Sequence, residues 1–142
     1  MTTGGFKGKV RDVDPDILVR VVAAKLGIPE DRVVGEYGMT ELTSQLYEKP
    51  ASQGGTLGVF HSPPWLEVTP VDAETLEPVP VGEPGLARFV DLGNVDSAVA
   101  IVTQDRVRRI GEGVALLGRS PGAPPRGCSL ALREMVLARG EP

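Results

Sequence analysis

Apolar and polar positions alternate in two different rhythms along this chain. Ile17, Leu18, Val21, Val22 and Leu26 recur at helical spacing. Asp14-Pro15 in front of them supplies an N-cap and a proline at the first helical position. Lys25 falls in the last turn, where a cation suits the helix dipole, and Gly27 is a natural C-cap. These features predict a helix. Pro29-Glu30-Asp31 then turns the chain, and the β-branched run Arg32-Val33-Val34 predicts a strand over 32–35.

From Pro50 the rhythm changes. Ala51-Ser52-Gln53-Gly54-Gly55 reads as a flexible link, and the chain beyond it reads as all-β. Leu66-Glu67-Val68-Thr69-Pro70-Val71 alternates and predicts a strand ended by Asp72. Glu83-Pro84-Gly85 predicts a turn, followed by a strand over 86–90. Ala98-Val99-Ala100-Ile101-Val102 predicts a buried strand ended by Thr103-Gln104-Asp105. Residues 106–110 and 114–117 bracket Gly111-Glu112-Gly113 as a hairpin. Trp65 is expected to anchor this lobe and His61, beside Ser62-Pro63-Pro64, to lie on a surface loop; no triad is proposed around it. Ser129 is an N-cap for a helix over 129–138 with Leu132, Met135 and Val136 on one face. The fold class is α+β: the end of an α/β unit (1–49), a small distorted β-barrel lobe (50–119), and a hinged arm with a C-terminal helix (120–142).

Composition narrows the function. The net charge of −4 gives no basic footprint, so nucleic acid is not an expected partner. Gly 18 and Pro 13 exceed a fifth of the chain, yet 41% of residues are hydrophobic, which favours short strands and turns over disorder. No apolar run is long enough to span a bilayer, the polar, glycine-rich start does not read as a signal peptide, and one cysteine fits a reducing cytoplasm. A single histidine and a single cysteine far apart argue against structural zinc.

The stretch that carries chemistry is Gly35-Glu36-Tyr37-Gly38-Met39-Thr40-Glu41. Glycines on both sides of Tyr37 are expected to let the backbone turn sharply and a ligand come close. The ring can stack on a base, the Thr40 hydroxyl can bind a phosphate oxygen, and the Glu41 carboxylate can hold Mg²⁺, which prefers oxygen ligands. Asp105 at a strand end can accept from two ribose hydroxyls, and Arg119 offers a fixed cation. Cys128 stands just before the expected C-terminal helix with Arg126 nearby, a setting that favours a thiolate.

Glu36-Tyr37-Gly38-Met39-Thr40-Glu41 resembles the Tyr-Gly-x-Thr-Glu motif of adenylate-forming enzymes. With Leu42-Thr43-Ser44-Gln45-Leu46-Tyr47 it is most similar to the acyl-protein synthetase family of the bacterial luminescence fatty-acid reductase. The run from Val71 to Gly85 resembles the family's Asp-x-Glu-Thr … Pro-Val-Pro-x-Gly-Glu-x-Gly hairpin. The resemblance implies ATP and Mg²⁺ as cofactors and a fatty acid as substrate. It places Gly4, Gly5, Tyr37, Gly38 and Met39 around the adenine and acyl pocket, Thr40 on the α-phosphate, Glu41 on the metal, and Asp105 and Arg119 on the ribose. Gln104 stands where the family has a glycine. It implies that Cys128 takes the acyl group as a thioester and passes it to a reductase or transferase. The family's phosphate-gripping loop and most of its α/β lobe precede the Gly4-Gly5 loop. The chain is therefore expected to begin in mid-domain, to self-associate through exposed apolar surface, and to be inactive alone. The alternatives are a fragment of an acyl- or aryl-CoA ligase with Cys128 structural, and a non-catalytic interaction fragment.

Overall fold

A computed structural model of the chain describes residues 1–3 and 14–123. The helix forms where its caps place it. Helix α1 spans Pro15–Leu26; the Asp14 carboxylate accepts from the Asp16 N–H at 2.8 Å, and Gly27 closes the other end in the left-handed region. Ala23 is its buried residue and Leu18, Val19 and Val22 are half-buried. Ile17 and Val21, one turn apart, are more than half exposed and form a bare side, and Leu26 is exposed at the helix end.

Among the described residues eight strands make one sheet. They are β1 (Thr2–Thr3), β2 (Gly35–Tyr37), β3 (Leu46–Glu48), β4 (Val59–His61), β5 (Leu66–Val71), β6 (Pro84–Asp91), β7 (Ala100–Ile110) and β8 (Gly113–Arg119). Their spatial order is β1-β2-β3-β4-β8-β7-β6-β5. Only the β1–β2 pair is parallel; every other neighbour is antiparallel. Pairing is continuous across position 50, because Tyr47 of β3 lies opposite His61 of β4.

Several sequence expectations are corrected. Residues 32–35 are not a strand: Glu30–Arg32 is a single 3₁₀ turn, Val33 is buried at its end, and the strand starts at Gly35. Val33 is buried with its N–H turned back onto the Glu30 carbonyl at 3.0 Å, while the Val34 carbonyl accepts from the Thr2 N–H of β1 at 2.9 Å. The expected flexible link is an ordered 3₁₀ turn at Ala51–Gln53, ended by Gly54. The strand expected to stop before Asp105 runs on to Ile110, and its Ala100 and Val102 face solvent. His61 is the last residue of β4 rather than a loop residue. Trp65 is 51% exposed and does not anchor the core; its indole N–H donates to Ser44 Oγ at 2.8 Å. Strand β5, the 86–90 region of β6 and the Gly111-Glu112 hairpin stand where the alternation placed them.

The sheet curls strongly. In the sheet order β2 and β6 stand five places apart, which on a flat sheet would separate them by roughly 24 Å. Yet the Tyr37 ring of β2 stacks on Phe89 of β6 with centroids 6.1 Å apart. The two halves of the sheet therefore fold over a shared interior. Leu46, Leu66, Val68, Ala87, Phe89, Val107 and Val114 fill it, with Tyr37, Met39, Leu42 and Phe60 packed along its margin. The strands before and after position 50 thus meet on one core, and the loop after β2 is held at its rim.

Candidate functional site

Tyr37 is the last residue of β2 and sits between two rings. Phe89 stacks on it at an interplanar angle of 14°, and Phe60 meets it edge-on at 6.5 Å. One face of Tyr37 is therefore already used by the core. Its hydroxyl donates to Asp105 Oδ2 at 2.6 Å, joining residues 68 apart in sequence. Burial, and then the bond to the Asp105 carboxylate, push the phenol well above its ordinary value. Tyr37 is held as a protonated donor at neutral pH.

Asp105 lies inside β7, beside a β-bulge between Asp105 and Val107 in the ladder with β8. A bulge re-aims the side chains next to it. Asp105 pairs across the ladder with Arg119, the last residue of β8. The Arg119 Nε lies 3.7 Å from Asp105 Oδ1, an ion-pair distance too long for a hydrogen bond, and its Nη2 donates to Gln104 Oε1 at 3.2 Å. Gln104, where the family resemblance leads one to expect glycine, thus steers the arginine. Arg119 and Asp105 are 28% and 24% exposed, so both can still reach a solute.

The loop after β2 presents Thr40 and Glu41 to solvent. The Leu42 N–H closes a turn onto the Met39 carbonyl at 3.2 Å, and Thr40 Oγ1 donates to Glu41 Oε2 at 3.1 Å. An exposed hydroxyl and carboxylate side by side are hard oxygen donors, and they fit a phosphate-bound Mg²⁺. Among the described residues no cluster of three or more His, Cys, Asp or Glu side chains converges. Glu41 would therefore share such an ion with phosphate oxygens and water. The structure brings Tyr37, Asp105 and Arg119 into direct contact. Thr40 and Glu41 stand on the loop that leaves Tyr37, with Met39 half-buried on the core.

The role expected of the glycines is corrected. Neither Gly35 nor Gly38 has a positive φ, so neither position needs glycine for a left-handed backbone. Their missing side chains make room for neighbours instead. A Cβ on Gly35 would lie 2.8 Å from Glu48 Oε2, and one on Gly38 2.8 Å from Gln45 Cγ. Glu48 accepts from the Gly35 N–H at 2.6 Å and from the Gly58 N–H at 2.5 Å, tying β2 to the loop before β4. Sequence reasoning passed over Glu48, noted Gln104 only as a departure from the family's glycine, and placed Phe89 in a strand without giving it a role at the site. Only Phe89, in an alternating strand, had a local signal. Gly4, Gly5 and Cys128 lie outside the described residues.

Two surface hollows lie elsewhere among the described residues. One of about 410 Å³ lies between α1 and the 49–57 segment, lined by Arg20, Val33, Glu48 and Lys49 among others. A second of about 350 Å³ lies beside Ser44, Tyr47, His61 and Trp65. Neither is lined by Tyr37, Asp105 or Arg119. Among the described residues no helix is long and apolar enough to cross a membrane.

Comparison with known proteins gives a family and a fold. A family model described as "Acyl-protein synthetase, LuxE" matches residues 1–137. A long-chain-fatty-acid–luciferin-component ligase from Vibrio harveyi is 23% identical over 150 residues, which cover 99% of this chain and 38% of that protein. The chain thus spans little more than a third of that relative's length. Among solved structures, a benzoate CoA ligase from Burkholderia xenovorans LB400 superposes with a TM-score of 0.59 at 20% identity, over 96% of this chain and 28% of that one. An ATP-bound RpMatB-BxBclM chimera superposes with a TM-score of 0.51 at 20% identity, over 61% of this chain and 20% of that one. The fold is that of the adenylate-forming ligases.

Proposed function

The chain belongs to the LuxE acyl-protein synthetase family, and from that premise we propose that it serves an ATP-dependent acid–thiol ligase reaction. In this reading a fatty-acid carboxylate oxygen attacks the α-phosphorus of ATP, pyrophosphate leaves, and acyl-AMP remains. The Cys128 thiolate then attacks the acyl carbonyl and AMP leaves, giving a thioester for a reductase or transferase. The observation that carries the reading is the meeting of Tyr37, Asp105 and Arg119 beside the loop bearing Thr40 and Glu41.

Each residue has a role fitted to its setting. Asp105 accepts from ribose hydroxyls, and Arg119, already steered by Gln104, adds a cation to the same patch. Tyr37 offers the adenine its ring margin, since Phe89 covers one face. Thr40 donates to an α-phosphate oxygen, and the Glu41 carboxylate holds the metal. Bound Mg²⁺ supplies charge neutralisation on the phosphate oxygens. Gly38 and Met39 are assigned to the adenine and acyl pocket, and Gly4 and Gly5, outside the described residues, are assigned there by the family resemblance alone. The ATP-bound chimera of the same fold supports ATP as the nucleotide. Ile17 and Val21, neighbours on one face of α1 and both exposed, are apolar surface through which self-association would run.

The test is intact-mass analysis after incubation with a synthetic long-chain acyl-adenylate, alongside Cys128→Ser. An adduct of acyl mass, released by hydroxylamine and absent from the variant, is expected. An adduct that persists in Cys128→Ser, or no adduct on a folded chain, would overturn the thioester step.

A further inference from the structure

Asp91 is the one charged side chain that is fully buried among the described residues, at 1% exposure. It ends β6, far in sequence from the Thr-Glu loop. Removing a carboxylate from water costs several kcal/mol unless hydrogen bonds compensate it. Here the compensation comes from the loop. Asp91 Oδ2 accepts from the Thr43 N–H at 2.8 Å, and the Thr43 hydroxyl approaches both oxygens at 3.0 and 3.1 Å. The Gly93 N–H donates to Oδ1 at 3.0 Å. Gly93 also leaves the space the contact needs, since a Cβ there would lie 2.6 Å from Thr43 Oγ1.

A second tie comes from the same turn. The Asn94 side-chain amide donates to the Glu41 carbonyl at 3.1 Å and to the Ala98 carbonyl at 3.2 Å. Asn94 is itself placed by its N–H on the Asp91 carbonyl at 3.1 Å. The backbone is therefore gripped at the Glu41 carbonyl and again at the Thr43 amide, on the two sides of Leu42, whose side chain packs on the core. A third tie runs from the Leu92 N–H to the Trp65 carbonyl, and from the Trp65 indole to Ser44 Oγ. The clamp holds Glu41 through its main chain. Thr40 and Glu41 stay exposed in front of it.

We propose that Asp91 and Asn94 are positioning residues, which fix the loop backbone so that the Thr40 hydroxyl and Glu41 carboxylate point together at a magnesium-bound phosphate. The magnesium–phosphate part rests on the function proposed above; the clamp stands on geometry alone.

Two measurements separate them. The first is amide hydrogen exchange of the chain and of its Asp91→Asn and Asn94→Ala variants, with Thr43→Ser as a conservative control. Asp91→Asn puts an amide NH₂ among donors, and Asn94→Ala deletes the grip on Glu41. Exchange over residues 39–43 is expected to quicken about tenfold or more in both, with β7 and β8 unchanged and Thr43→Ser near wild type. Unchanged protection over 39–43 would overturn the clamp whatever the nucleotide does. The second is thermal shift with ATP as Mg²⁺ is titrated. Asn94→Ala is expected to raise the half-saturating Mg²⁺ about tenfold while leaving the metal-free response to ATP unaltered. A wild-type chain whose Tm ignores Mg·ATP would overturn the ligand reading, and loosened exchange in the same variants would still support the clamp. An Asn94→Ala variant with wild-type Mg²⁺ dependence would overturn the positioning role.

Discussion

Tyr37→Phe isolates one hydrogen bond between two ends of the sequence. The substitution removes a hydroxyl that donates to Asp105 Oδ2 at 2.6 Å and leaves the ring on Phe89 and Phe60. Hydrogen bonds to charged partners contribute about 1.5–3 kcal/mol. Asp105 is 24% exposed and keeps Arg119 at 3.7 Å, so water and the guanidinium recover part of the loss. The expected destabilisation is about 1–2 kcal/mol. For a chain of this size that is a fall in Tm of roughly 3–10 °C, or a urea midpoint lower by about 0.5–1 M at unchanged m. Urea titration of Tyr37→Phe, Asp105→Asn and the double variant closes a cycle. A coupling of at least about 0.5 kcal/mol is expected. Strict additivity, or a Tyr37→Phe chain as stable as wild type, would refute the claim that this bond joins the β2 end to β7.

Phe89→Ala removes a ring that is 1% exposed at the centre of the curled sheet; a loss of about 3–5 kcal/mol is expected by chemical denaturation, and a loss under about 1 kcal/mol would mean the interior collapses around the gap. Glu48→Ala leaves the Gly35 and Gly58 N–H groups without their acceptor and should lower stability by about 1–2 kcal/mol, while Glu48→Gln retains part of it. Burial works to raise the Asp91 carboxyl, but the bonds from Thr43 and Gly93 outweigh it and hold it below the ordinary carboxylate range. A group lowered in the folded state stabilises fully above its unfolded value of about 3.9 and loses this as pH falls through the folded one. Tm against pH should therefore drop below about pH 4, with a shallower acid limb in Asp91→Asn; parallel limbs in the two proteins would contradict it.

Local chemistry alone determined much of this protein. The Asp14-Pro15 start and Gly27 stop of the helix, the alternation of β5 and the Gly111-Glu112 hairpin each depend on neighbours within a few positions. The sequence shows them directly. The Tyr37 motif and the spacing to Asp105 and Arg119 likewise pointed to the family that the comparison found. Tertiary structure decided the rest. Val33 packs rather than pairs because the 3₁₀ turn before it takes its N–H onto the Glu30 carbonyl. Gly35 and Gly38 are small for the sake of Glu48 and Gln45, which no local pattern couples to them. The curl of the sheet sets Tyr37 on Phe89 and against Asp105, and it brings Asp91 under Thr43 across a separation of 48 residues. Such contacts depend on which strand pairs with which. A buried carboxylate becomes stable only where the fold delivers donors to it, so its meaning appears once the chain has closed on itself.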